Sequence, residues 1–137
     1  SSIGTYGFNL FCIHLQVNKP QGKLITVLSG SIFDVCVDCR PNSKTFGEHF
    51  SIELSEKNNT SLYIPEGFAH GFCSLTHLTI LHYKCTDYRD KKSETGILWN
   101  DKDLKIKWPK KRFLISSKDK KNISFKQFLS EKLKSYN

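Results

Sequence analysis

Five side chains of this sequence have the chemistry of proton transfer near neutral pH: His14, Lys23, His70, Tyr83 and Asp119. A histidine titrates in that range and can take or give a proton. An aspartate can orient a histidine and stabilise its charged form. A lysine can stabilise a developing oxyanion, and a tyrosine can act as acid or base when its pKa is matched to the task. These residues are spread from position 14 to position 119, so spacing alone does not make them converge. Each also fits a structural role: a hydrogen-bonded turn histidine, a surface lysine beside a turn, a core tyrosine, a loop or capping aspartate.

The elements that would have to position them read as short strands. The run Leu62-Tyr63-Ile64 stops at Pro65, which removes a ladder donor and so ends a strand or marks an edge. Gly67 permits a corner other residues resist. His70 follows at the mouth of another strand-like run that starts at Phe72. Further strands are expected at Asn9–Gln16, Lys23–Ser29, Ser31–Cys39, Lys44–Ser55, Thr60–Ile64, Phe72–Leu75 and Leu78–Cys85. Within 31–39, Ile32, Asp34, Cys36 and Asp38 alternate with Phe33, Val35, Val37 and Cys39, which suggests one buried face. In 44–55, Phe46, Phe50, Ile52 and Leu54 share one parity. Gly30 and Pro41-Asn42-Ser43 mark turns. Residues 1–8 have no clear period, and 86–112 are less regular. Short strands at close spacing with turn punctuation indicate a β-sandwich or barrel.

The chain closes with a helix. Ser124 is an N-cap with Gln127 three residues later, a capping-box pattern, and Phe125, Phe128, Leu129 and Leu133 form one apolar stripe. At 137 residues the chain reads as a single domain over 1–137 with a basic helical tail from about 123. Residues 1–100 carry 9 basic and 9 acidic groups, whereas 101–137 carry 12 and 4, so the segment 101–137 holds the whole net charge of +8. Eleven of those twelve are Lys without interleaved aromatics, unlike a nucleic-acid platform, so no nucleic acid is expected as partner. No stretch approaches the length of a membrane span and no signal pattern is visible, which makes a cytoplasmic protein without a membrane partner the default expectation. The thiols of Cys36 and Cys39 would point to opposite strand faces. All five cysteines, with Cys12, Cys73 and Cys85, read as buried or semi-buried free thiols in a reducing compartment.

Pro65-x-Gly67-x-x-His70 resembles the second motif of the cupin superfamily, and the string Ile64 to Phe72 resembles the dTDP-4-dehydrorhamnose 3,5-epimerase family. The likeness extends over roughly residues 9–122. Its other carriers are His14-Leu-Gln, Gln21-Gly-Lys-Leu, Ser29 to Asp38, Lys44-Thr-Phe-Gly, Leu54-Ser, Tyr83 to Tyr88, Gly96 to Asp101 and Leu114 to Asp119, in the family's order. The resemblance implies a mainly β, cupin-like double-stranded β-helix (jelly roll) with a C-terminal α-helix. It also implies a homodimer, no metal and no cofactor, and a dTDP-linked 4-keto-6-deoxy sugar as substrate. A base would remove a proton from carbon 3 or 5 to give an enolate, and a proton would return on the other face. By position, His14 is implied as the base and Asp119 as its partner. Lys23 would stabilise the charge on the sugar's 4-oxygen, and Tyr83 would be the proton donor on the opposite face. His70 is implied to line the pocket, Lys120 to meet a phosphate and Gln21 to contact the ligand. The chain also lacks the His-x-His ligand pair of metal-binding cupins.

Where the family has Leu-Arg-Gly-Leu-His, this sequence reads Leu10-Phe11-Cys12-Ile13-His14, so Phe11 replaces an Arg expected at the diphosphate. Arg89 stands where a stacking Tyr is expected, and the chain begins after the family's N-terminal nucleotide-holding region. Loss of a bidentate phosphate ligand weakens binding. Three expectations follow: a different nucleotide, an N-terminal part supplied by another chain or absent from this sequence, or a binding module without turnover. The leading expectation is epimerisation of a nucleotide-linked 4-keto-6-deoxy sugar in carbohydrate or polysaccharide biosynthesis. The alternatives are a non-catalytic nucleotide-sugar-binding or assembly subunit and a 3,4-ketoisomerase on the same substrate class.

Overall fold

A computed structural model describes residues 2–17, 20–87, 94–109 and 112–131. Nine strands lie among them: β1 (Ser2–Tyr6), β2 (Leu10–Gln16), β3 (Lys23–Ser29), β4 (Ser31–Asp38), β5 (His49–Ser55), β6 (Leu62–Ile64), β7 (Phe68–Ser74), β8 (Leu78–Cys85) and β9 (Glu94–Ile97). Two short helices follow, α1 (Ser117–Lys120) and α2 (Phe125–Glu131). The strands form a four-stranded sheet, β1-β8-β3-β6, and a five-stranded sheet, β5-β4-β7-β2-β9, with antiparallel neighbours throughout. This is the expected jelly roll. Ile25, Val27, Ile64 and Leu81 of the small sheet meet Ile32, Cys36, Leu54 and Phe72 of the large one in a core between them.

The large sheet is covered on its other face as well. Ile13, Leu15, Val37, Cys39, Ala69 and Ile97 pack there against Leu104, Phe125 and Phe128, while Leu10, Cys12 and Cys73 pack against the loop carrying Trp99, Trp108 and Phe113. Both faces of β4 are therefore buried, not one, because loop and helix cover its back. Cys36 and Cys39 do lie in different core layers. Cys85 is exposed, unlike the other four cysteines, because β8 runs out of the sandwich at its C-terminal end. Phe128, fully buried, anchors α2, a burial that contributes about 1.5–3 kcal/mol.

Several boundaries differ from the sequence reading. The strand expected from Lys44 begins only at His49, because Thr45, Phe46 and Gly47 make a turn in which Gly47 takes φ +82°. Phe50, which shares a parity with the buried Leu54, is half exposed on the edge strand β5. β6 is only Leu62–Ile64. Pro65 ends it as expected, Gly67 turns at φ +88°, and β7 starts at Phe68. His70 is thus the third residue of a central strand and not a residue at a strand mouth. β1 and β9 were not legible: both contain glycine and lack alternation, and pairing to β8 and β2 holds them.

At α2 the Ser124 hydroxyl accepts from the Gln127 amide at 3.1 Å, but the Gln127 side chain turns to Glu131, so only half the capping box forms. The buried Asp101 satisfies another amide of the first turn, accepting from the Phe125 N–H at 2.8 Å. Leu133, the remainder of the tail from 132, and Arg89 lie outside the described residues. No helix among the described residues is long and apolar enough to cross a membrane.

Candidate active site

A cleft of about 840 Å3 opens between the two sheets, a size suited to a small-molecule ligand. His14, Gln21, Lys23, His70, Tyr83 and Asp119 all line it. Six of the seven sequence-nominated residues therefore converge. The exception is Lys120, which is exposed and not part of the lining; Lys118 lines the cleft in its place. Two helical residues further on is about 200° round the axis, so Lys120 leaves the cleft side that Lys118 occupies.

The large sheet brings the histidines together. His14 of β2 and His70 of β7 are direct register partners, so their side chains share a face. The alignment depends on a β-bulge. Phe11 pairs with Phe72 and His14 with His70, so two residues of β2, Cys12 and Ile13, oppose the single Gly71. Phe11 and His14 consequently both reach the cleft, although three residues apart in a regular strand they would point to opposite sides.

Each histidine has a carboxylate behind it. His14 Nε2 lies 3.3 Å from Asp119 Oδ1, close enough to pair but without hydrogen-bond alignment. Asp119 is buried in α1, whose N-cap Ser116 accepts from the Asp119 amide at 3.1 Å, and its Oδ2 accepts from the Cys12 N–H at 3.4 Å. Burial lowers the pKa of His14 below the usual imidazole value, with Asp119 and then Glu94 pulling the other way and Lys118 adding to the lowering. The lowering favours the neutral ring, the state a base requires. Cys12 is no nucleophile, since burial first, and then the Asp119 charge, push its thiol up to about 12.

His70 is held more tightly. Its Nε2 sits 2.9 Å and 2.8 Å from the two carboxylate oxygens of Asp34, which is completely buried in β4. Sequence reasoning missed Asp34. Its available signal was an acid inside the apolar run Ile32–Val37, where an ionised group needs a partner. Phe72 stacks between His70 and Phe11, with ring centroids 5.9 Å and 4.6 Å away, so Phe11 makes an aromatic wall of the cleft.

The small sheet supplies the facing groups. Lys23 opposes Cys85, and Ile25 opposes Tyr83, so Lys23 and Tyr83 are diagonal neighbours on the cleft face. Gln21 precedes β3 and donates its amide to the Asp87 carbonyl at the rim. Among the described residues no three His, Cys, Asp or Glu side chains converge as ligands for a metal ion.

A jelly-roll cleft with a histidine backed by a carboxylate on one wall, and a lysine and a tyrosine on the other, has the groups that proton transfer requires. The pattern of the dTDP-4-dehydrorhamnose 3,5-epimerase family matches residues 8–127, and the chain belongs to that family. It is 47% identical over 111 residues to the dTDP-4-dehydrorhamnose 3,5-epimerase of Methanothermobacter thermautotrophicus, covering 79% of this chain and 60% of that protein. The chain thus spans somewhat less than two thirds of this relative's length. The crystal structure of the Elizabethkingia anophelis enzyme of the same name superposes with a TM-score of 0.89 at 39% identity, covering 93% of this chain and 71% of the other. The Legionella pneumophila epimerase, solved with dTDP-4-keto-L-rhamnose, gives 0.87 at 39%, covering 90% and 66%.

Proposed function

We propose that this protein is an isomerase that epimerises a nucleotide-linked 4-keto-6-deoxy sugar, of the dTDP-4-dehydro-6-deoxyglucose type, at carbon 3, carbon 5 or both. The observation that carries this reading is the His14–Asp119 pair, lining one cleft with Lys23 and Tyr83. The 4-keto group acidifies the C–H bonds beside it. Neutral His14 takes one of these protons, and the electron pair moves onto the 4-oxygen, where Lys23 stabilises the enolate charge. Tyr83 returns a proton to the opposite face and inverts the carbon. Asp119 stabilises the imidazolium formed on the way, and solvent resets both groups. His70, fixed by Asp34, hydrogen-bonds the sugar from the large-sheet wall. Gln21 contacts the ligand at the rim, and Lys118, rather than Lys120, faces its phosphates.

The same reading takes the chain as one domain that works as a homodimer in the cytoplasm, with an assembly mass that light scattering would report. Its support is family membership together with the arrangement of the cleft; the Legionella relative carries a dTDP-4-keto sugar. A second reading, a nucleotide-sugar-binding subunit without turnover, is favoured by Phe11, stacked on Phe72 where the family pattern has an Arg. Incubation with dTDP-4-keto-6-deoxyglucose, followed by NMR of the sugar ring, separates the readings. Inversion at carbon 3 or 5 is expected. A keto group moved to carbon 3 would make the protein a 3,4-ketoisomerase, and binding with an unchanged ring would make it a binding module.

A further inference from the structure

The β-bulge in β2 does more than interrupt a ladder. With Phe11 opposite Phe72, a regular antiparallel pairing would continue 12 with 71, 13 with 70 and 14 with 69. Ile13 would then stand beside His70 in the cleft, and His14 would stand with Ala69, which lies in the core on the far side of the sheet. The extra residue reverses this. Cys12 and Ile13, consecutive in sequence, both join core clusters of the sheet's back, Cys12 also bordering the cleft, and His14 enters the cleft. At the same point the Cys12 N–H reaches Asp119 Oδ2 at 3.4 Å.

The seat of the bulge is Gly71. A Cβ on Gly71 would lie 2.9 Å from the Phe11 carbonyl oxygen, 3.0 Å from the Ile13 nitrogen and 3.1 Å from the Cys12 carbonyl carbon. All three are backbone atoms of the bulge, which cannot swing aside as a flexible side chain would. Glycine is the residue that permits such a close backbone approach.

We infer that the bulge at Cys12–Ile13, seated on Gly71, is the backbone device that assembles the His14–Asp119 pair, turning His14 into the cleft and presenting an N–H to Asp119. Gly71 is thus a positioning residue for the base. The inference rests on the epimerase reading for its consequence in turnover, but not for its geometry.

The test is Gly71→Ala. In 15N-histidine-labelled protein without substrate, the ring-nitrogen shifts of His14 should move, while those of exposed His49 and His77 stay in place. In the exchange of sugar protons, kcat should fall by about 10- to 100-fold, as for a misplacement of order 1 Å, with KM altered far less. Unchanged His14 shifts in the folded variant would overturn the proposal. If His14 moves but wild-type protein does not turn over, the device stands and the epimerase reading falls.

Deletion of Cys12 covers the case in which Gly71→Ala does not fold. It removes the extra residue and leaves a regular ladder of 11 with 72, 13 with 71 and 14 with 70. In that background Gly71→Ala should fold and melt at the midpoint of the deletion alone, although it unfolds the wild-type chain. An equal loss in both backgrounds would show that Gly71 does not serve the bulge.

Discussion

The two walls of the cleft are built differently. The large-sheet wall is buried on both faces, and each of its histidines has a buried carboxylate at its back, Asp119 for His14 and Asp34 for His70. The small-sheet wall offers Lys23 and Tyr83, both half-buried, while its outer face carries exposed Tyr6, Leu24, Leu28, Tyr63 and Leu78. The base we propose therefore sits where packing dictates geometry, and the groups proposed to meet the developing charge sit on a wall with less behind it. Placing a neutral imidazole calls for burial, whereas a lysine facing an oxyanion needs reach.

Breaking the buried wall should have the largest effects. Phe128→Ala behind that wall should lose about 3–5 kcal/mol in urea unfolding through the cavity left under α2. Asp34→Ala leaves the buried His70 ring without its hydrogen-bond partner, and a loss of about 1–3 kcal/mol is expected in the same measurement.

Asp119→Asn sharpens the picture through pH. Burial already lowers the pKa of His14 and Asp119 pulls it back up, so removing that charge lowers it further. Since only the neutral ring can accept a proton, kcat/KM rises with pH through the lowered pKa. The acid limb should shift to still lower pH in the variant, with kcat down by about 10- to 100-fold for loss of the group that orients and stabilises the ring. A limb moving to higher pH would contradict the assigned roles.

Smaller effects should separate the rims and faces. Lys118→Ala should weaken nucleotide-sugar binding by about 1 kcal/mol in calorimetry, whereas Lys120→Ala should leave it unchanged. Tyr6→Ser on the outer face of the small sheet should alter stability by no more than about 0.5 kcal/mol.

Much of this asymmetry was legible in the residues. The Pro65–His70 corner, the strand punctuation and Ser124 each act through local backbone chemistry, and they mark a β-sandwich or barrel and its closing helix, which the family resemblance narrows to a jelly roll. His14, Lys23, His70, Tyr83 and Asp119 could be nominated by chemical type and family position. What stayed hidden depends on partners distant in sequence. Asp34 reads as one more residue of an alternation until His70 is laid beside it. The bulge is a count of two residues against one, which exists only once β7 is paired with β2. Whether Lys118 or Lys120 faces the cleft is set by the phase of a single helical turn. β1 has no sequence period because its pairing with β8, not its own pattern, holds it in place.

The central claim is that His14 is the base. Wild-type protein and His14→Ala, each shown to be folded, would be incubated with dTDP-4-keto-6-deoxyglucose in heavy water, and carbons 3 and 5 followed by NMR. The account predicts deuterium entering at least one of these positions with wild-type protein faster than in a protein-free control. It predicts a rate lower by about 100- to 10,000-fold with the variant. Equal incorporation by the two proteins would contradict it.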